Sequence, residues 1–155
     1  MHHANDLNKF IAEAGRVLKK GGLLITVRDH VIFNNKDKEW FLENHPLHKY
    51  YGGENAFTPN QYKEAMHKAG LKVVEELKYY ESIINYFPHS TEKIEGMYET
   101  KKRIAISHLK RKLSFLSNMA FLQRMYFKRI KLSKESVYDE TKVPGRMHTY
   151  ISIKK

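Results

Sequence analysis

Apolar positions in residues 6–19, DLNKFIAEAGRVLK, recur at the three- and four-residue spacing of one buried helical stripe: Leu7, Phe10, Ile11, Ala14, Val17 and Leu18. Asn5 or Asp6 supplies the cap, Lys19 and Lys20 suit the negative end, and Gly21-Gly22 permits the turn that ends the helix. The run LLITV (23–27) follows. A continuous apolar run of that length predicts a strand covered on both faces, as in a parallel sheet. After a polar stretch the pattern predicts a short helix near 37–43, then a loop, HPLHKYYGGENAF (45–57). A second helix is expected over 59–69. Thr58 and Gln61 have capping-box spacing, Pro59 fits the first helical position and Gly70 closes the end. Residues 71–77 then read as a strand. The unit of capped helix, glycine and strand thus occurs twice, which argues for an α/β layered fold.

Residues 90–134 change character and read as helical throughout. Leu109, Leu113, Leu116 and Ala120 form one stripe, interrupted at Gln123 before Phe127 and Ile130 resume it. Phe115, Met119, Leu122 and Tyr126 widen the apolar face, and Ser117-Asn118 offers a point at which the run could break into two helices. Val143-Pro144-Gly145 signals a turn, and HTYISI (148–153) alternates like a closing strand.

Charge sharpens this division. The net charge of +11 has one source: residues 101–134 hold 11 Lys or Arg and no Asp or Glu, while acidic and basic residues balance elsewhere. The basic character is a local surface that attracts phosphates. At 155 residues and 41% apolar content the chain is sized for one domain with a modest core. It lacks cysteine, which excludes disulfides and thiolate metal sites. With no bilayer-length apolar run and no secretory leader, the expected location is cytoplasmic, peripheral to a membrane if the basic helices bind one.

The opening MHHANDLNKFIAEAGRVLKKGGLLITVRDH resembles class I S-adenosylmethionine-dependent methyltransferases of the "type 11" group. In that family a helix of pattern LxExxRVLKPGG leads into the apolar fifth strand; Lys20 stands here in place of the proline. FTPNQYKEAMHKAGLKVVEE is similar to the family's last helix and sixth strand, and GRMHTYISIKK to its seventh, which inserts antiparallel between the fifth and sixth. The resemblance covers residues 1–87 and 143–155. It implies a single domain over 1–155 with a partial Rossmann-like methyltransferase sheet, its last three strands near 23–28, 71–78 and 147–153, the final pair antiparallel. A basic helical insertion or lid spans 88–142. The match starts at about the family's fourth strand, so the glycine-rich cofactor loop and the acidic ribose-binding residue have no counterpart. A fragment, a split protein and a misassigned start all fit, and S-adenosylmethionine binding by these residues alone is not expected. The fifth strand is expected to present an open edge, available to the other half of the fold or to a second copy.

The resemblance implies methyl transfer to a small polar or glycan-like acceptor. Ligands of open α/β sheets lie beyond the carboxyl ends of the strands, which directs attention to Arg28, Asp29 and His30. His30 is the first choice of general base, with His3 the second. His2, His3 and Arg28 are expected to line the cofactor side. Asp29, His45, His48, Tyr51, Glu54, Asn55, Asn85 and Tyr86 are expected to meet the acceptor, their flat rings and hydrogen-bonding groups suiting a sugar. A metal site at His45, His48 and Glu54 is not expected, because Pro46 breaks helical spacing between the histidines. The alternative is a non-enzymatic module whose basic helices, 101–134, bind anionic lipid or other phosphates; nucleic acid is the least favoured partner, since no base-reading motif is present.

Overall fold

The computed structural model describes residues 1–45, 48, 50, 53–113 and 117–155. The chain divides into two compact units, Met1–Phe87 with Glu140–Lys155, and Pro88–Asp139.

In the first unit, helix α1 (Leu7–Val17) leads to strand β1 (Leu23–His30). Asp6 caps α1 by accepting from the Lys9 amide. The helix stops before the glycines. Gly21, at φ 79°, instead makes the turn into β1, its N–H donating to the Lys154 carbonyl. Helix α2 (Asn35–Asn44) is capped by Asn34, whose side chain accepts from the Asp37 amide. Helix α3 (Pro59–Lys68) carries the full capping box: Thr58 accepts from the Gln61 amide and Gln61 from that of Thr58. Strand β2 (Leu71–Leu77), a short helix α4 (Ile83–Tyr86) and, after the second unit, strand β3 (Met147–Lys154) complete it.

The sheet order is β1-β3-β2, with β3 antiparallel to both neighbours. This is the α/β arrangement of the last three strands expected above, with Leu24 and Val73 both opposite Ser152. Helices α1 and α3 share one face of the sheet, where Leu7, Ile11, Tyr62, Ala65, Met66, Leu71 and Tyr150 form the core. The helices meet at Gly15. A Cβ there would lie 2.7 Å from the Ala69 carbonyl oxygen, so only glycine allows the approach.

Coverage of the other face differs from expectation. Leu23, Ile25 and Val27 are each more than half exposed, as is Val74 on β2. The apolar run therefore forms a strand covered on one face, because both long helices of this pattern pack on the same side. Near the other end of β3, α4 packs on the sheet: buried Asn85 accepts from the Thr149 hydroxyl at 2.7 Å.

Register shifts between Thr26 and Asp29, where Arg28 takes φ 58°. This bulge changes which residues face the core. Regular alternation would put Thr26 and Arg28 on one face; the extra residue places Asp29 there instead, opposite His148 and 1% exposed.

The second unit is helical: α5 (Thr91–Glu95), α6 (Met97–Leu113), α7 (Ala120–Arg129) and α8 (Lys134–Val137). Ile94, Ala105, Leu109 and Val137 are buried. The expected stripe through Leu109, Leu113, Leu116 and Ala120 does not run along one helix, since α6 ends at Leu113 and α7 starts at Ala120. Phe115 and Leu116 lie outside the described residues. Gln123, which interrupted the apolar pattern, donates to the Ser117 carbonyl at 2.8 Å and ties the connection to α7.

Candidate functional site

Four histidines from three chain segments converge at the carboxyl end of β1. His30 ends that strand and His45 is the C-cap of α2, its N–H donating to the Phe41 carbonyl. His2 and His3 lie in the turn closed by the Ala4 amide and the Met1 carbonyl, and the Asn55 amide holds that turn by donating to the His2 carbonyl at 3.0 Å. The His2 ring centroid lies 4.0 Å from that of His3, 4.8 Å from His30 and 6.0 Å from His45. Buried Phe41 closes the back, 4.7 Å from the His30 ring and 4.9 Å from His45.

Two carboxylates serve this cluster. Asp29, delivered inward by the bulge, accepts from the His2 amide at 3.2 Å and faces His2 Nδ1 at 3.4 Å. The Met1 amino group contacts the same oxygen. Burial works to raise the Asp29 pKa, but the His2 and amino-group hydrogen bonds prevail and hold it below the usual carboxylate range. Glu54 faces His3 Nδ1 at 2.5 Å, with His3 half exposed and Glu54 nearly covered. Burial, followed by the neighbouring His2 and His45 rings, pushes the His30 pKa down to about 3, against a smaller raising influence of the Gly145 backbone. His45 is lowered as well, by burial first. The Nδ1 atoms of His30, His45 and His48 are buried with no hydrogen-bond partner among the described residues.

A small cleft of about 20 Å³ opens beside His30, walled by Trp40, Phe41, Gly145 and Arg146. Arg146 fixes this wall. Only 2% exposed, it donates to Asp37 Oδ2 at 2.8 Å and to the carbonyls of Glu140, Thr141 and Val31, and it stacks over Phe33.

The remaining expected site residues have their polar groups engaged in other contacts or lie outside the described residues. Arg28 donates to the Ile84 carbonyl at 2.6 Å and to that of Phe87. Asn85 is buried, donating to the Leu77 and Lys78 carbonyls, and Tyr86 is buried beside it. Asn55 bonds its own loop through the Ala56 amide. Tyr51 lies outside the described residues. These placements bear on the methyl donor. At about 20 Å³ the cleft is far below the roughly 300 Å³ at which ligand pockets begin, the Arg28 guanidinium is engaged with backbone, and no glycine-rich strand-to-helix turn occurs among the described residues. The described residues around this cleft do not form a cradle for S-adenosylmethionine.

A second polar cluster has no counterpart in the sequence reading. His148 is 1% exposed and sits between Glu76 Oε1 and Glu140 Oε2, each 3.1 Å from a ring nitrogen. Its position in HTYISI, in phase with Tyr150 and Ser152, was the available sign that it faces the core.

No protein-family model and no curated protein matches the chain. Solved structures do. The chain is similar to a candidate sarcosine dimethylglycine methyltransferase from Galdieria sulphuraria, at 12% identity and TM-score 0.44 over 99% of this chain and 49% of that one. It is similar to the cyclopropane synthase MmaA2 from Mycobacterium tuberculosis, at 13% identity and TM-score 0.45 over 99% and 52%. It is also similar to the YcgJ protein from Bacillus subtilis, at 17% identity and TM-score 0.44 over 99% and 60%. The chain thus spans about half to three fifths of these proteins. The likeness is to the fold of part of a longer chain and carries no assignment of activity.

Proposed function

We propose that this chain is the acceptor-side portion of a class I S-adenosylmethionine-dependent methyltransferase acting on a small polar or glycan-like molecule. The observation that carries the reading is the placement of β3, antiparallel between β1 and β2, which is the strand order the sequence resemblance implies for the end of that fold. The roles assigned to these residues concern the acceptor alone.

Transfer to oxygen or nitrogen requires a nucleophile relieved of its proton. His30 is a weak base with its pKa near 3, and it serves better as an uncharged hydrogen-bonding group. His3 is the stronger choice: it is accessible, and Glu54 lies beside its Nδ1. The test is transfer of labelled methyl from S-adenosylmethionine to a panel of glycans, using the protein as its natural gene encodes it. His3→Ala and Glu54→Gln are each expected to lower kcat, His3→Ala by about 100-fold or more. Unchanged turnover in His3→Ala would remove the base assignment. No labelled product, together with no heat on titration with the cofactor, would overturn the methyltransferase reading.

The second reading is binding to an anionic lipid surface through residues 101–134. It is favoured by the exposure of Phe121 and Met125 one turn apart on α7, a helix that ends in Lys128 and Arg129.

A further inference from the structure

We propose that His2, His30 and His45 form a binding site for a divalent transition metal of the zinc class. This goes beyond methyl transfer and stands or falls independently of it.

One ligand nitrogen from each of the three residues can be chosen so that all lie within 4.8 Å of one another. Tetrahedral zinc with bonds of about 2.05 Å sets its ligand nitrogens about 3.3 Å apart, so side-chain rotations of an ångström or so complete the site. The ligand type fits as well. Imidazole suits zinc and its neighbours in the first transition row, and the chain has no cysteine to compete.

The surroundings of the rings argue more strongly than their proximity. A metal-bound histidine characteristically directs its second ring nitrogen at a carboxylate or a backbone carbonyl. His2 directs Nδ1 at Asp29 Oδ1, which leaves Nε2 for a metal. His30 Nδ1 is buried without a partner among the described residues. His45 Nδ1 is buried and unpartnered in the same sense. Buried ring nitrogens without partners are destabilising, and a cation held between them relieves that cost. Three neutral imidazoles leave the fourth position for water or for an oxygen of a bound small molecule, the coordination of zinc sites that activate an oxygen. His2 also belongs to a second such group, since His2, His3 and Glu54 bring ligand atoms within 4.8 Å of one another.

The site is tested on the metal-free chain, carrying no oligohistidine tag, titrated with Zn²⁺ by calorimetry and with Co²⁺ by visible absorption. One equivalent at micromolar affinity or tighter is expected, with the intense bands of four-coordinate cobalt. His30→Gln and His45→Gln should abolish the bands, Asp29→Asn should weaken binding about 10- to 100-fold, and His67→Ala, on the exposed face of α3, should leave it unchanged. X-ray absorption at the zinc edge of the unaltered protein counts the imidazoles directly, whatever the variants do to folding: three support the site, one or none overturns it. Absence of uptake also overturns it. So does binding that survives His45→Gln but is lost in His3→Ala, which would place the metal on the first residues of the chain alone.

Discussion

His148 shows how much one buried side chain can set. With a carboxylate at each ring nitrogen, both nitrogens donate only when the ring is protonated. Burial opposes that charge, yet Glu140 and Glu76 outweigh it and raise the His148 pKa above 6.5. Its stabilisation is then complete below pH 6.5 and is lost as pH rises through the raised value. Glu76 behaves in the opposite sense. The hydrogen bond from His148 holds it at about 2 against an ordinary 4.5, so its contribution is present above 4.5 and is lost as pH falls toward 2. Thermal melts followed by circular dichroism should therefore give the highest Tm between about pH 4.5 and 6.5, declining on both sides. In His148→Gln the alkaline decline should flatten. A variant with the same alkaline slope would show that the ring does not carry this charge. The residue scale also holds the limits of sequence reading. Asp29 and His30 were legible as residues at the end of a buried strand, but the bulge at Arg28 decided which of them faces the core.

At the scale of elements, local signals were sufficient in the first unit. The Asp6 and Thr58 caps, the apolar stripe of α1 and the alternation of β3 placed each element to within a few residues, because each depends on neighbours along the chain. Periodicity failed between α6 and α7, where a regular stripe crosses a helix break. Helix α7 still presents Phe121 and Met125 on one exposed face, with Arg124, Lys128 and Arg129 on the same short helix. Apolar side chains entering a head-group layer beside cations gain from both burial and attraction to anionic lipid, about 1 kcal/mol per cation near the surface. The chain should accordingly pellet with phosphatidylserine vesicles and not with phosphatidylcholine ones. Binding should weaken as salt shortens the Debye length from about 10 Å at 0.1 M, and Phe121→Ala with Met125→Ala should weaken it further. Pelleting that ignores salt would exclude the electrostatic part.

At the scale of the whole molecule, the consequence is an incompletely covered sheet. Strand β1 is an open edge, and its outward face exposes Leu23, Ile25 and Val27 beside Val74. Water-exposed apolar surface next to unpaired strand hydrogen bonds favours association. Sedimentation should show concentration-dependent self-association, and Ile25→Thr with Val27→Thr, which keep strand propensity, should shift it toward monomer. A unaltered chain that stays monomeric throughout the range would remove this expectation. The sequence by itself determined the three strands, the two capped helices that lie against them and the location of the excess positive charge, since periodicity, capping and charge count are properties of short stretches. Tertiary structure alone decided that His2, His30 and His45 meet, that His148 lies between two glutamates and that part of one sheet face stays exposed. These depend on chain reversal and on a one-residue bulge that sets which way the end of β1 faces. Spacing along the chain carries no record of either.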